Sequence, residues 1–332
     1  MSRVFALTST VLMSSFLLFA QTAPKPADPR NLDNKQEKDV KVDLSVDTTL
    51  IQIPVSVHDK EGRPINNLSL DQFQVFEDKI QQKIKIFLHE DVPLSVGLVI
   101  DNSGSMRNKR ERVNSAALAF SRESNPEDET FIVNFDDSAY LEQDFTGSIG
   151  DLMDALDNLD TRGETALYNA IYLSVEHVVK EGKRDSKALL VISDGEDNRS
   201  KYKFEEVLKQ LKESKVTLYA IGLLEDNDQR GGLFEASPSK QAKKVLQQFA
   251  EATGGVAYFP KSIDEVDDLC RQIARDLRNR YTIGYTPTNL SLDGKWREVS
   301  VVVSPPKPVA SKMSPPRHKR GYFAPGPGSL QN

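Results

Sequence analysis

Three short segments of this chain carry oxygen ligands at spacings that could gather around one cation. Asp101, Ser103 and Ser105 stand two apart in Asp101-Asn102-Ser103-Gly104-Ser105, directly after the apolar run Leu94 to Ile100. Gly104 lets the backbone turn closely there without a Cβ clash. Thr165 stands at the start of a helical stripe that begins at Leu167, and Asp194-Gly195 ends the apolar run Ala188 to Ser193. Two carboxylates, two or three hydroxyls and water meet the demand of a hard divalent ion such as Mg²⁺, which takes oxygen ligands in near-octahedral geometry. The set holds no imidazole or thiolate, which argues against zinc and copper. Few of these donors are charged, so an ion held by them stays electrophilic and keeps one position for water or an outside group.

Each segment alone has a plainer explanation. Asp-Asn-Ser ahead of a helix serves as an N-cap, and Asp-Gly serves as a turn. The metal assignment rests on all three falling on a matching frame of strands and helices. Leu94 to Ile100 is apolar enough to be covered on both faces. A helix with Val113, Ala117 and Phe120 on one side should follow, then a strand over Thr130 to Phe135. Leu167, Ala170, Ile171, Val175 and Val178 make the stripe of a further helix. Ala188 to Ile192 and Val216 to Ile221 read as buried strands. Helices are expected near Phe204 to Glu213, Gln241 to Ala252 and Ile263 to Leu277. This alternation predicts an α/β fold with a doubly wound, mainly parallel sheet and helices on both faces. Such sheets bind ligands beyond the carboxyl ends of their strands, where all three segments fall.

Strand signals flank that block on both sides. Ile51, Ile53, Val55 and Val57 alternate with polar positions, and Pro54 suggests an edge or a bulge. Phe73 to Phe76 and Ile84 to Leu88 follow, with a polar turn near Asp78. After Arg280, Tyr281, Ile283 and Tyr285 alternate, then Val299, Val301 and Val303. Asp293-Gly294 between them is a hairpin-type signal, and Tyr322 and Phe323 offer a last short strand. An isolated hairpin is barely stable, so both flanks are expected to pair into one β-sandwich with the α/β block inserted between them. The expected organisation is a signal peptide over 1–23, a flexible linker over 24–42, a first β-strand flank over 43–92, the α/β domain over 93–278, a second flank over 279–324, and a disordered tail over 325–332.

Asp101-x-Ser103-x-Ser105, Thr165 and Asp194-Gly195 together resemble the metal-ion-dependent adhesion site of von Willebrand factor type A (VWFA) domains. The resemblance covers Pro93 to Leu277. The flanks, including Phe73 to Phe87, resemble secreted bacterial VWFA-related proteins of the acidobacterial type. The resemblance implies a metal-dependent protein-binding module and not an enzyme. Asp101, Ser103, Ser105, Thr165 and Asp194 would hold Mg²⁺, with Mn²⁺ or Ca²⁺ as alternatives. The open position would take an Asp or Glu carboxylate from a partner protein. A further carboxylate from this chain would quench the ion, so Glu196 and Asp197 are expected to point to solvent or to the rim.

Composition narrows the remaining functions. The 332 residues are 38% hydrophobic and 28% charged, with a formal net charge of -6. That is a soluble, globular balance, and it lacks the basic face a nucleic-acid binder needs. Arg3, then the uncharged Val4 to Ala20, with small residues at Ala20 and Ala23, read as an export signal. Cleavage is favoured over an uncleaved anchor because the run is short for a span and holds Thr8, Ser9, Thr10, Ser14 and Ser15. The protein is therefore expected to be periplasmic or extracellular, with no stable membrane span. Cys270, the one cysteine, falls in a helical stripe and reads as a buried small hydrophobe. The alternative function is a hydrolase using Ser103 or Ser105, but a nucleophilic serine needs a base in reach. No Gly-x-Ser-x-Gly elbow is present, and His177 is placed well into a helix as a surface residue. Arg317, Lys319 and Arg320 form a basic tail, expected to be a solvated loop. Glu225 to Lys240 is polar and could be a surface loop or a partner-contacting insertion.

Overall fold

The computed structural model describes residues 50–89, 91–157, 163–224 and 238–327. The expected signal segment, the linker, most of 225–240 and the tail beyond 327 lie outside these residues. Period-two apolar spacing forms β1 (Ile51–Ser56), β2 (Phe73–Glu77), β3 (Ile80–Gln82) and β4 (Ile84–Leu88). Asp78 and Lys79 join β2 to β3 with φ of 47 and 69°. Two consecutive left-handed residues make a tight turn whose twist suits a hairpin. Asp78 Oδ1 also accepts from Glu298 N at 2.9 Å, which fastens the turn to the far end of the chain.

The α/β block begins with β5 (Leu94–Asp101), buried at all eight positions. It continues through α1 (Arg110–Glu123), β6 (Glu129–Phe135), β7 (Ala139–Thr146), α2 (Ile149–Asp157), α3 (Leu167–Glu181), β8 (Ser186–Ser193), α4 (Phe204–Glu213), β9 (Val216–Gly222), α5 (Pro238–Thr253), β10 (Ala257–Tyr258) and α6 (Val266–Arg278). Six strands form one sheet in the order β10-β9-β8-β5-β6-β7. All pairs are parallel except β6 with β7. One face of the sheet packs on α1, α2 and α6 through Val113, Phe120, Leu152 and Ile273. The other packs on α3, α4 and α5 through Ile171, Val207 and Phe249. Gly97 lies at the centre, opposite Phe131 on β6. A Cβ on Gly97 would sit 2.3 Å from Phe131 Cζ, so only glycine leaves room for that ring. The strand β7 and the helix α2 were not expected from the sequence, because β7 alternates weakly and is largely exposed.

The chain closes with β11 (Tyr281–Tyr285), β12 (Trp296–Val303), the single turn α7 (Lys307–Ala310), β13 (Arg317–His318) and β14 (Gly321–Phe323). Strands from the two flanks pair with each other. One antiparallel sheet runs β13-β1-β11-β4 and the other β14-β12-β2-β3. Their inner faces share a core of Val55, Val57, Phe73, Val75, Tyr281, Ile283, Tyr285 and Val301. The hairpin expected at Asp293-Gly294 does not form: β11 pairs with β1 and β4, and β12 with β2 and β14. Those residues do turn, with Gly294 at φ 67°, but they carry the chain from one sheet to the other. A dipeptide signals a turn and not the partners of its flanking strands. Pro54 is on β1 beyond the reach of β13, which pairs only with Val55 and Ser56, so its missing N–H costs no ladder bond on that side.

Two residues of the expected basic tail, Arg317 and Lys319, are half-buried anchors, while Arg320 is exposed as expected. Arg317 Nη2 lies 2.9 Å from Asp276 Oδ2 on α6. His58 Nε2 lies 2.7 Å from Asp276 Oδ1, and the Tyr219 hydroxyl donates to Asp276 Oδ2 at 2.8 Å. Arg317 also lies 2.6 Å from His58 Nδ1. The same Nη2 lies 2.8 Å from His58 Nε2. Lys319 Nζ donates to the carbonyls of Leu211 and Ser214 at the end of α4, where a cation also complements the helix dipole. A run of Arg and Lys near a terminus reads as solvated because sequence does not show which buried acceptors it will meet.

Candidate metal centre

The strand β5 ends at Asp101, β8 ends at Ser193, and the two are neighbours, so Asp101 and Asp194 leave the same edge of the sheet. The Asp101 carboxylate accepts from Ser103 N at 2.9 Å through Oδ1 and from the Ser193 hydroxyl at 2.6 Å through Oδ2. The Ser103 and Ser105 hydroxyls are 3.1 Å apart. Ser105 donates to Asp194 Oδ2 at 2.5 Å. Four of the five expected donors, Asp101, Ser103, Ser105 and Asp194, are thus joined by direct hydrogen bonds or through Ser193. Ser103 precedes a single 3-10 turn, Gly104–Met106, and makes no side-chain cap bond to it. The plain N-cap explanation therefore does not account for this serine.

Thr165 reaches the same place by its backbone. Its N–H donates to Asn198 Oδ1 at 3.0 Å, in the loop that follows Asp194. Its carbonyl accepts from Asn198 N and Arg199 N, and the Gly163 carbonyl accepts from Gly104 N at 3.2 Å. Ala166 N donates to Asp136 O at 2.7 Å, and Asn102 N to Phe135 O at 2.8 Å. Three loops are in this way laced to one another by main-chain bonds, with Thr165 buried among them.

Asp101 and Asp194 are both buried. Burial first, and the nearby Asp194 carboxylate second, push the Asp101 carboxyl up to about 6 against the hydrogen bonds from Ser103 and Ser193. Two carboxylates in one buried space are mutually costly without a cation. Among the described residues, no group of three or more His, Cys, Asp or Glu side chains gathers to hold a metal. An ion at this edge would rest on hydroxyls and two carboxylates, and the donor chemistry here fits that requirement. His177, for its part, lies 3.0 Å from Asp144 and stacks on Phe145. The structure shows no bond from it to Ser103 or Ser105.

Glu196 is exposed, as expected, and Asp197 is turned toward α3. Asp197 is half-buried and does not point to solvent. Its Oδ1 accepts from Tyr168 N at 3.0 Å and from the Ser200 hydroxyl at 2.6 Å, so it caps the first turn of α3. A carboxylate at a helix N-terminus satisfies free N–H groups and complements the dipole. Two supporting residues were missed. Ser193 holds Asp101 and also accepts from Gly195 N at 2.9 Å, while Asn198 positions Thr165. The signal for Ser193 was available: a polar residue closing a strand otherwise apolar from Ala188 onward.

Residues 96–196 match the family model described as the von Willebrand factor type A domain. The matched stretch runs from β5 to just past Asp194 and contains all five candidate ligands. The VWFA domain is a protein-interaction domain. Among solved structures, the chain is similar to a von Willebrand factor type A protein from Catenulispora acidiphila, at 11% identity, covering 84% of this chain and 75% of that one, with a TM-score of 0.47. It is also similar to proximal thread matrix protein 1 from the mussel byssus, described with a zinc-occupied MIDAS motif, at 17% identity over 59% and 48% of the two chains and a TM-score of 0.45. A third is the vWF domain of the type V pili tip protein Mfa5 from Porphyromonas gingivalis, at 13% identity over 56% and 95%, with a TM-score of 0.43. No curated protein matches the chain. Among the described residues, no helix is long and apolar enough to cross a membrane.

Proposed function

We propose that residues 93–278 act as a metal-dependent protein-binding module of an exported, periplasmic or extracellular protein. Asp101, Ser103, Ser105, Thr165 and Asp194 would hold one divalent cation, Mg²⁺ with Mn²⁺ or Ca²⁺ as alternatives. The bound ion supplies a positive centre that an Asp or Glu carboxylate of a partner protein completes. The flanks 43–92 and 279–324 would form one sandwich that carries the module, between the linker 24–42 and the tail 325–332.

The observation that carries this reading is the unbroken chain Asp101–Ser103–Ser105–Asp194 at the carboxyl edge of the sheet, with Thr165 laced to it by main-chain bonds. In this arrangement Asp101 is oriented by Ser193 and by the Ser103 N–H. The Ser105 hydroxyl joins that of Ser103 to the Asp194 carboxylate. The carboxylate of Asp197 is spent on α3, which leaves the ligand set short of negative charge, as an electrophilic ion requires.

Titration calorimetry of the full chain with Mg²⁺, Mn²⁺, Ca²⁺ and Zn²⁺ tests the site. One ion should bind the wild type, and Asp101→Ala and Asp194→Ala should each abolish binding while far-ultraviolet circular dichroism stays unchanged. Mg²⁺ affinity unchanged in both variants rejects the ligand assignment. Capture of partners from the native secretome with and without EDTA tests the mode of binding, and partners retained in EDTA reject metal-mediated recognition.

A further inference from the structure

The three sheets have six outer strands: β13 and β4, β10 and β7, β14 and β3. Five are poor templates for another chain. The strands β10 and β13 have two residues each, and β3 and β14 three each. The strand β4 has five, with exposed Lys83 before it and exposed Lys85 within it. Short length and lysine are devices that keep sheet edges from pairing with other chains. The remaining edge, β7, has eight residues and no Lys, Arg or Pro. Its pairing with β6 is interrupted by two register shifts, but both fall beyond Leu141. Ala139, Tyr140 and Leu141 pair in unbroken register with Phe135, Asn134 and Val133.

At that regular stretch an apolar cavity of about 200 Å³ opens beside the edge, lined by Val133, Ala139, Tyr140, Leu141, Leu173 and His177. Tyr140, Leu141 and Leu173 are 44%, 49% and 42% exposed. The His177 wall is held in place: its ring stacks on Phe145 at 5.3 Å, meets Phe131 edge-on at 4.8 Å, and its Nε2 lies 3.0 Å from Asp144 Oδ1. The strand's own charged groups are Glu142 and Asp144, both exposed and both negative. On α3 the exposed Glu176 adds to them, while Lys180 is paired with Glu181 at 3.1 Å.

We propose that β7 docks an extended segment of a partner protein, which adds as a strand beside Ala139–Leu141, seats one aliphatic side chain in the cavity and carries Lys or Arg on either side of it. Strand addition draws its strength from main-chain hydrogen bonds and its choice of partner from pockets that take alternate side chains. The acidic strand selects a basic segment. A second copy of this chain fits poorly, because it would set Glu142 and Asp144 against their like, which is unfavourable across a strand pair. The surface uses none of the five oxygen donors, so it stands or falls apart from the metal centre.

The test uses the full chain and three capped, fluorescein-labelled peptides. The first is Lys-Thr-Lys-Leu-Lys-Thr-Lys, the second replaces every Lys by Glu, and the third replaces the central Leu by Asn. In fluorescence anisotropy at low salt, the first should bind, and the other two should bind at least tenfold more weakly. Leu141→Glu and Leu173→Glu, both at exposed positions, should each weaken the first peptide at least tenfold, and Glu142→Lys should shift preference toward the acidic one. Hydrogen exchange should slow in residues 139–141, and EDTA should change nothing. Equal binding of basic and acidic peptides, no binding of either, or an affinity indifferent to Leu141→Glu overturns the proposal. Loss of peptide binding in EDTA overturns it by moving the contact to the metal centre. A wild-type dimer in sedimentation that Leu141→Glu makes monomeric overturns it in favour of self-association.

Discussion

Replacing Asp276 by Asn should destabilise the fold strongly at neutral pH and hardly at all in acid. Asp276 is 1% exposed, and its two oxygens serve three partners from separate parts of the chain: His58 after β1, Tyr219 on β9 and Arg317 on β13. An amide can keep one acceptor, but it turns an NH₂ toward a donor and leaves the Arg317 guanidinium without its counter-charge. Breaking a buried pair from one side costs about 3–5 kcal/mol. Unfolding entropy of about 2.1 cal/mol/K per residue, taken over a unit of this size, makes that a fall in Tm of roughly 5–8 °C. The pH dependence has a definite sign. Burial tends to raise the Asp276 carboxyl, but the hydrogen bond from His58 and the charge of Arg317 outweigh it and hold the group below the usual carboxylate value. A depressed carboxyl contributes stability that is present above its unfolded pKa and lost as pH falls through the folded one. In urea unfolding, the difference between wild type and Asp276→Asn should therefore hold from pH 7 to the unfolded carboxyl value of about 4 and shrink only below it. A difference of under about 1 kcal/mol at pH 7, or one constant with pH, refutes the assignment of the carboxylate as the ionised hub.

Three further outcomes are expected. Gly97→Ala should cost about 1–3 kcal/mol in urea unfolding, the usual price of overpacking a filled core, because its methyl group would meet Phe131 and Leu189. Burial brings the Lys319 ammonium down to about 8 from 10.5; the unfolded chain then holds more protons between those values, so wild type should gain stability relative to Lys319→Met as pH rises through that window. Asp194→Asn should raise Tm slightly in EDTA, by removing one of two buried like charges, and should abolish the Tm increase that saturating Mg²⁺ gives the wild type. At a hundredfold excess over Kd that increase corresponds to about 2.7 kcal/mol, and a variant that still responds to Mg²⁺ counts against Asp194 as a ligand.

Most of the α/β block was legible because its physics is local. The run Leu94 to Ile100 is apolar on both faces and could only be a covered strand, and α4 forms over Phe204–Glu213 as its apolar spacing predicted. The shared edge of Asp101, Ser103, Ser105, Thr165 and Asp194 was legible for the same reason, since strand ends and helix starts bring those positions together. What escaped depended on partners remote in sequence. The pairing of β11 and β12 with β1 and β2, in place of each other, is decided by a shared core and not by Asp293-Gly294. Arg317 and Lys319 look like solvent-facing cations until Asp276 and the end of α4 are set beside them. Asp197 looks like a rim carboxylate until α3 is seen to begin against it. The strand β7 carries little alternation because it is an outer strand, with none of its eight residues fully buried.

The division of labour at the candidate centre follows from the same bonds. Small zinc domains collapse without their ion because the metal is what closes the structure. Here the loops are closed by the protein. Asn102 N, Gly104 N, Ala166 N and Thr165 N each find an acceptor in a neighbouring loop or in Asn198, and β5, β6 and β8 hold those loops from below. An ion arriving at this edge would meet donors already placed, so the ion-free chain would already be folded and the ion would add only the increment that any ligand of a native state brings. That is why ligand variants are expected to lose the cation and keep the fold. Asn198→Ala should do something different. It removes the acceptor of Thr165 N while leaving all five donors chemically intact, and it should weaken Mg²⁺ binding through misplacement alone. Calorimetry on Asn198→Asp, which restores the acceptor oxygen, separates the two causes: recovery of affinity supports positioning, and no recovery refutes it.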